Sequence, residues 1–132
     1  MAIYHVLNAF FFVFHSAFIL FVLFGWIPAK TRKAHLAAIA ATAFSWFILG
    51  IWYGFGYCPC TEWHWRVRYE LGLSNMPYSY IKFLVDRITG GDHDENLVNT
   101  VTVSFFVIVA ALSVYLNVRA WRRRATKDGN EA

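Results

Sequence analysis

The sequence predicts an all-α membrane protein: three transmembrane helices, with short interfacial helices in the loop between the second and the third. Three observations predict it. Apolar stretches at residues 3–26, 36–57 and 97–118 are each about as long as the ~20 residues a helix needs to cross a hydrocarbon core. Hydrophobic residues make up 58% of the 132 positions and aromatic residues 20%, which leaves too little polar surface to wrap a soluble domain of this size. The cations gather in two places, Lys30, Arg32 and Lys33 in the first loop and Arg119, Arg122, Arg123, Arg124 and Lys127 after the third stretch. Those two places share a side only if the chain crosses three times, and the positive-inside bias then puts the N-terminus outside and the C-terminus in the cytoplasm, in a cell inner (plasma) membrane. Residues 1–125 form one membrane domain, and the polar end 126–132 is expected to be a mobile cytoplasmic tail.

The first stretch carries no formal charge. It has no basic n-region, is too long for a signal-peptide core and closes on no small-residue cleavage site, so a permanent span is expected. His15 sits near its middle, about 12 residues or ~18 Å from the outer end. Ionisable groups at such depth turn inward and pair. Ser45 of the second span falls at a similar level, so a neutral His15 hydrogen-bonded to Ser45 is expected, with Asn8 seven residues earlier on nearly the same face. A haem ligand, proton relay or quinone contact is the functional alternative for His15. His35, roughly 15 Å from that level, is too far away to complete a bis-histidine haem site.

The second span is rich in small residues, Ala38, Ala40, Ala41 and Ala43, and the third carries Ala110 and Ala111 with the polar Asn99, Thr102, Ser104 and Ser113. Small side chains permit close helix approach, and the polar set is expected to mark the packed seam. The glycines Gly50, Gly54 and Gly56 read as spread through a helix, not as a phosphate cradle.

The outer loop, residues 58–96, sets Arg66, Arg68, Lys82 and Arg87 against Glu62, Glu70, Asp86, Asp92, Asp94 and Glu95. Within it Trp63, Trp65 and Tyr69 suit the headgroup zone, with Arg66 and Arg68 as phosphate anchors. Gly72, Ser74, Asn75 and Pro77 read as a helix stop. A second short helix is expected over residues 78–88, with Ile81, Leu84, Val85 and Ile88 on one face. Asp94 to Asn96 can cap the third span.

Cys58, Cys60 and His64 form C-x-C-x3-H, a set suited to zinc or copper. The specific zinc patterns contain two separated ligand pairs, and here only one is present. The favoured reading is structural, with Cys58 a small apolar side chain at the end of the second span, Pro59 breaking the helix and Thr61 capping the next. A Cys58–Cys60 disulfide would close a strained, readily reduced ring.

His15, Gly25, His35, the Cys58-Pro59-x-Thr61 turn and the basic stretch 66–72 occur in an order that resembles DUF2784, a family of small bacterial membrane proteins with no assigned activity. The resemblance covers roughly residues 10–90, and the C-P-x-T turn is its most specific element. Cys60 stands where that family usually has Leu, and His64 about where it has an acid.

No Ser-His-Asp arrangement, paired-carboxylate motif or nucleotide loop is legible, and three spans without a repeat suit no alternating-access transporter. The expected function is a non-enzymatic membrane component that packs with lipids, a membrane protein partner or a second copy. No cofactor and no nucleic acid are expected, since a basic cluster directly after a span is explained by an anionic lipid surface. The alternative is a membrane-interfacial redox protein, metal binder or enzyme using Cys58, Cys60 and His64, with zinc or copper as the implied metal.

Overall fold

A computed structural model describes residues 2–131 as five helices: α1 (Ala2–Phe24), α2 (Ala29–Tyr53), α3 (Pro59–Glu70), α4 (Tyr80–Thr89) and α5 (Glu95–Glu131). Among them α1, α2 and α5 are long and apolar enough to cross a membrane. Burial is inverted relative to a water-soluble domain. The side chains most completely enclosed are the polar His35, His64 and Ser113, while Phe10, Phe14, Leu20, Ile51, Trp52 and Phe105 are more than half exposed. A lipid environment accommodates such a surface, because apolar side chains facing hydrocarbon lose nothing by staying outside.

The end of α1 shows how the sequence closes a helix. An α-helix leaves its last four carbonyls unpaired, and here each finds a donor. Gly25 N donates to Phe21 O at 2.7 Å and Ile27 N to Phe24 O at 3.1 Å. The Trp26 indole donates to Leu23 O at 2.8 Å, and His35 Nε2 lies 2.7 Å from Val22 O. Gly25 is required because a Cβ there would stand 2.5 Å from Phe21 O. Thr31 Oγ1 then bonds Gly25 O at 2.6 Å and Arg32 Nε bonds Trp26 O at 3.0 Å. With its guanidinium committed to that turn, Arg32 enters the first turn of α2, which therefore begins seven residues before the expected Leu36.

The core at this end is Ile39 of α2 against Phe106 and Val109 of α5, flanked by Val22, Ala43, Trp46 and Ala110. Of the small residues expected at the seam, Ala38, Ala43 and Ala110 are partly buried, whereas Ala40, Ala41 and Ala111 face outward. Of the polar set, Ser113 is enclosed and Asn99 and Thr102 are half-buried, but Ser104 is exposed and bonds Thr100 O of its own helix.

α2 departs most from expectation. Residues 44–49 wind as a wider π-turn, and the helix stops at Tyr53, not at Tyr57. Gly54 and Gly56 adopt φ of +101° and +84°, so they form the turn and are not helix interior. The chain then folds back along α2. Ser45 Oγ donates to Tyr57 O at 2.9 Å, and the Phe55 ring meets Trp46 and Phe47 with centroids 6.2 and 5.3 Å apart. Tyr53 lies eight residues beyond Ser45, about 12 Å at helical rise, so the turn carries the chain back by roughly that distance. Gly50 gives it room, since a Cβ there would stand 3.3 Å from Phe55 Cα.

Cys58 and Pro59 thus open α3 halfway along the spans, and α3 climbs antiparallel to the first half of α1. Pro59 occupies the first helical position, where its missing N–H costs nothing, and Cys58 precedes it in extended conformation. Thr61 lies inside the helix and is buried, so it does not cap it. α3 ends before Gly72, at φ +80°. Ser79 caps α4 by accepting from Lys82 N at 3.3 Å, and Asp94 caps α5 by accepting from Leu97 N at 3.1 Å. Ile88, expected on the packed face of α4, is 81% exposed. The end expected as a tail continues α5 as helix through Glu131.

Candidate functional site

Two histidine centres hold the bundle. At the Lys30 end, His35 of α2 is fully enclosed between the other two spans. The carbonyl of Val22 can only accept, so Nε2 carries a proton, and Nδ1 lies 2.9 Å from the Ser113 hydroxyl. Asn117 adds bonds to Arg32 O at 3.1 Å and Ser113 O at 2.8 Å. In the sequence His35 stands just before the second apolar stretch, with no partner assigned to it. The available signal was its helical register with Ile39, four residues on, which places both on one inward face.

The second centre lies where α3 and α4 meet α1. His64 Nε2 lies 2.8 Å from Asn8 Oδ1, and His15 Nε2 lies 3.8 Å from Cys58 Sγ. Along α1 the two contacts are seven residues apart and along α3 six, about 10.5 and 9 Å, as two antiparallel helices in register require. That matched spacing was readable in the sequence. The expected His15–Ser45 bond is replaced because the returning chain offers Ser45 the Tyr57 carbonyl and brings Cys58 to His15.

Tyr80, the first residue of α4, stands at the middle of this centre. Its ring stacks on His15 at 4.0 Å, and its hydroxyl donates to Phe12 O at 3.2 Å while lying 3.0 Å from Ser16 Oγ. A phenol has one proton, so Ser16 is the donor to Tyr80. Trp65 and Phe83 complete the aromatic wall, with Trp65 Nε1 donating to Pro77 O at 2.9 Å. Nothing in the sequence distinguished Tyr80 from any other tyrosine.

The buried side-chain polar atoms without a hydrogen-bond partner among the described residues are His15 Nδ1, His64 Nδ1 and Arg68 Nε, and all three belong to this centre. With Asn8 Oδ1 accepting, the His64 proton is on Nε2 and Nδ1 is a bare lone pair. Burial, reinforced by the positive Arg68, pushes His64 down to about 4, so it is neutral at pH 7.

Of the residues expected at the headgroups, Trp63, Arg66 and Tyr69 are exposed. Trp65 and Arg68 instead turn inward, because α3 presents that face to α4. Arg66 pairs with Glu62, which also accepts from the Tyr57 hydroxyl. The Tyr57 bond, opposed by partial burial and aided by Arg66, holds the Glu62 carboxyl below the usual carboxylate range, and Tyr57 itself is pushed up to about 12.

Cys58 and Cys60 are free thiols, and burial, with Cys58 beside it, pushes Cys60 up to about 11. Cys58, Cys60 and His64, the alternative metal set, are not gathered around one point among the described residues. Cys58 is turned to His15 and His64 to Asn8, and among the described residues no three His, Cys, Asp or Glu side chains are placed to hold one ion. Beside Cys58 a groove of about 430 Å³ opens between the end of α2 and α3, lined among others by Tyr53, Tyr57, Thr61 and Trp65.

The family described as Protein of Unknown function (DUF2784) matches residues 5–118. The chain belongs to the DUF2784 family. The matched region takes in both histidine centres and the return turn of this DUF2784 protein, and leaves out the first four residues and the far end of α5. No curated protein and no solved structure matches the chain.

Proposed function

We propose that this protein is a non-enzymatic component of a cell's inner membrane that acts by packing with lipids and with a protein neighbour or second copy. In this reading its N-terminus is outside and its C-terminus cytoplasmic. The observation that carries it is the inverted burial: the most completely enclosed side chains are the polar His35, His64 and Ser113, while many large apolar ones face outward along α1, α2 and α5. A bundle this thin offers partners far more apolar surface than it uses itself. The orientation is supported by the joining of the Lys30 turn to the basic end of α5 through Asn117 and Arg32, which collects the cations on one side.

Native mass spectrometry from mild detergent tests the packing, with retained lipid, a second copy or a co-purified neighbour expected. A bare monomer that retains nothing overturns it. Impermeant amine labelling tests the orientation: Lys30 is expected to be protected in intact cells, and reaction there reverses the topology.

A second reading, thiol chemistry at Cys58, is favoured by one contact, His15 Nε2 at 3.8 Å from Cys58 Sγ. It moves the redox or metal alternative from the Cys58, Cys60 and His64 trio to Cys58 with His15. Stoichiometric zinc or copper, lost in Cys58→Ala and retained in Cys60→Ala, supports it. Protein purified without metal, whose Cys58 reacts with alkylating reagents no differently in His15→Phe, removes it.

A further inference from the structure

We infer that Arg68 and Arg87 form a binding site for a phosphate group at the junction of α3, α4 and α1. This inference rests on the lipid half of the reading above and gives it a specific ligand. Both guanidinium groups face the Phe83 ring, with Cζ 4.9 and 5.8 Å from its centroid. Arg87 also lies 5.4 Å from the Phe12 ring and Arg68 6.0 Å from that of Trp65. Two positive charges therefore share one aromatic patch.

No described carboxylate neutralises them. Glu62 is committed to Arg66 and Tyr57, and Asp86 to Lys82 and His93. Asp92 also pairs with Lys82. Glu70 follows Arg68 by two residues and so projects from another face of α3. Meanwhile Arg68 Nε is buried with no acceptor. A half-buried guanidinium with an unpartnered N–H, held near a second like charge, is costly unless an anion completes the set.

A phosphate matches the two guanidinium groups in charge and in hydrogen-bonding capacity. Its oxygens accept forked N–H pairs from two arginines at once, while a single carboxylate offers fewer acceptors. The aromatic faces of Phe12, Phe83 and Trp65 supply the apolar flank that a phospholipid carries next to its headgroup. A lipid phosphate and a free phosphate share this chemistry, and the test separates them.

The wild-type chain and Arg68→Gln, Arg87→Gln and Arg66→Gln variants are placed in nanodiscs containing phosphatidylglycerol and phosphatidylcholine. Retained lipid is counted by native mass spectrometry, and thermal stability is measured in parallel in detergent with and without inorganic phosphate. Preferential retention of phosphatidylglycerol is expected in the wild type, falling about tenfold in Arg68→Gln and in Arg87→Gln. Arg66→Gln, whose side chain is exposed and paired with Glu62, is expected to retain lipid as the wild type does. Arg87 lies on the surface, so its variant keeps the test decisive if Arg68→Gln fails to fold. Stabilisation by inorganic phosphate that requires both arginines, without lipid selectivity, supports the site with free phosphate as its ligand. Retention of phosphatidylglycerol and phosphatidylcholine alike, unchanged in both arginine variants, overturns the site while leaving the lipid-packing reading intact. A wild type that retains no lipid and ignores phosphate overturns both.

Discussion

His35 and the pair His15 and His64 are buried imidazoles in one bundle, yet they are finished differently. Both nitrogens of His35 have partners, one on each neighbouring span. His15 and His64 each spend one nitrogen, on a thiol and an amide, and leave the other bare. Removing a satisfied buried group strands its partners, whereas removing a half-satisfied one also removes an unpaired atom. The first centre is therefore a fastener with every ring nitrogen engaged, whereas the second leaves two ring nitrogens without partners among the described residues.

The largest expected effect follows from that contrast. His35→Phe leaves Val22 O and the Ser113 hydroxyl unpartnered and is expected to cost about 2 kcal/mol or more, read as unfolding in mixed detergent micelles. His15→Phe keeps the stack on Tyr80 and deletes a bare nitrogen, so a change below about 1 kcal/mol is expected. Equal losses in the two variants would erase the distinction.

Asn8→Leu sharpens it within the second centre. It strands the His64 Nε2 proton and is expected to cost about 1–2 kcal/mol, most of it recovered in the double variant Asn8→Leu/His64→Phe. No recovery would mean that Asn8 acts on something other than His64. Gly54→Ala forces a Cβ onto a backbone at φ +101° and is expected to cost about 1–2 kcal/mol, with increased proteolysis between residues 53 and 58 as the readout.

The smallest effect concerns the clasp on α4. Asp86 accepts from Lys82 at 2.5 Å and from His93 N and Nδ1, both at 2.9 Å. The Lys82 bond first, then those from His93, hold its carboxyl well below the usual range. A depressed carboxylate contributes stability above its unfolded value near 4 and loses it as pH falls through the folded one. Amide exchange at residues 90–94 is expected to be flat from pH 7 to about 5, once corrected for intrinsic rates, and to quicken only in stronger acid.

The three spans were legible because hydropathy is additive along a helix, and α3, α4 and the Asp94 cap followed from turn chemistry. The return of the chain after Tyr53 was not, for a physical reason. Residues 51–57 carry no charge and hold five aliphatic or aromatic side chains, so averaging extends the helix through a turn that only Gly54 and Gly56 betray. Once that turn is misplaced, every depth assigned to Cys58 shifts with it, and His15 acquires the wrong partner. The second centre depends on this packing of non-neighbouring segments, and composition carries no trace of it.

The length of α5 carries one more implication. Thirty-seven residues make a rod of about 55 Å against a hydrocarbon core of about 30 Å. Beyond Asn117, the last residue that bonds it to another span, every side chain from Val118 to Asn130 is exposed. The arm beyond that fulcrum is about 20 Å long, so a tilt of a few degrees at the His35–Ser113 fastener swings its far end, beyond Arg122 to Arg124, by an ångström or more.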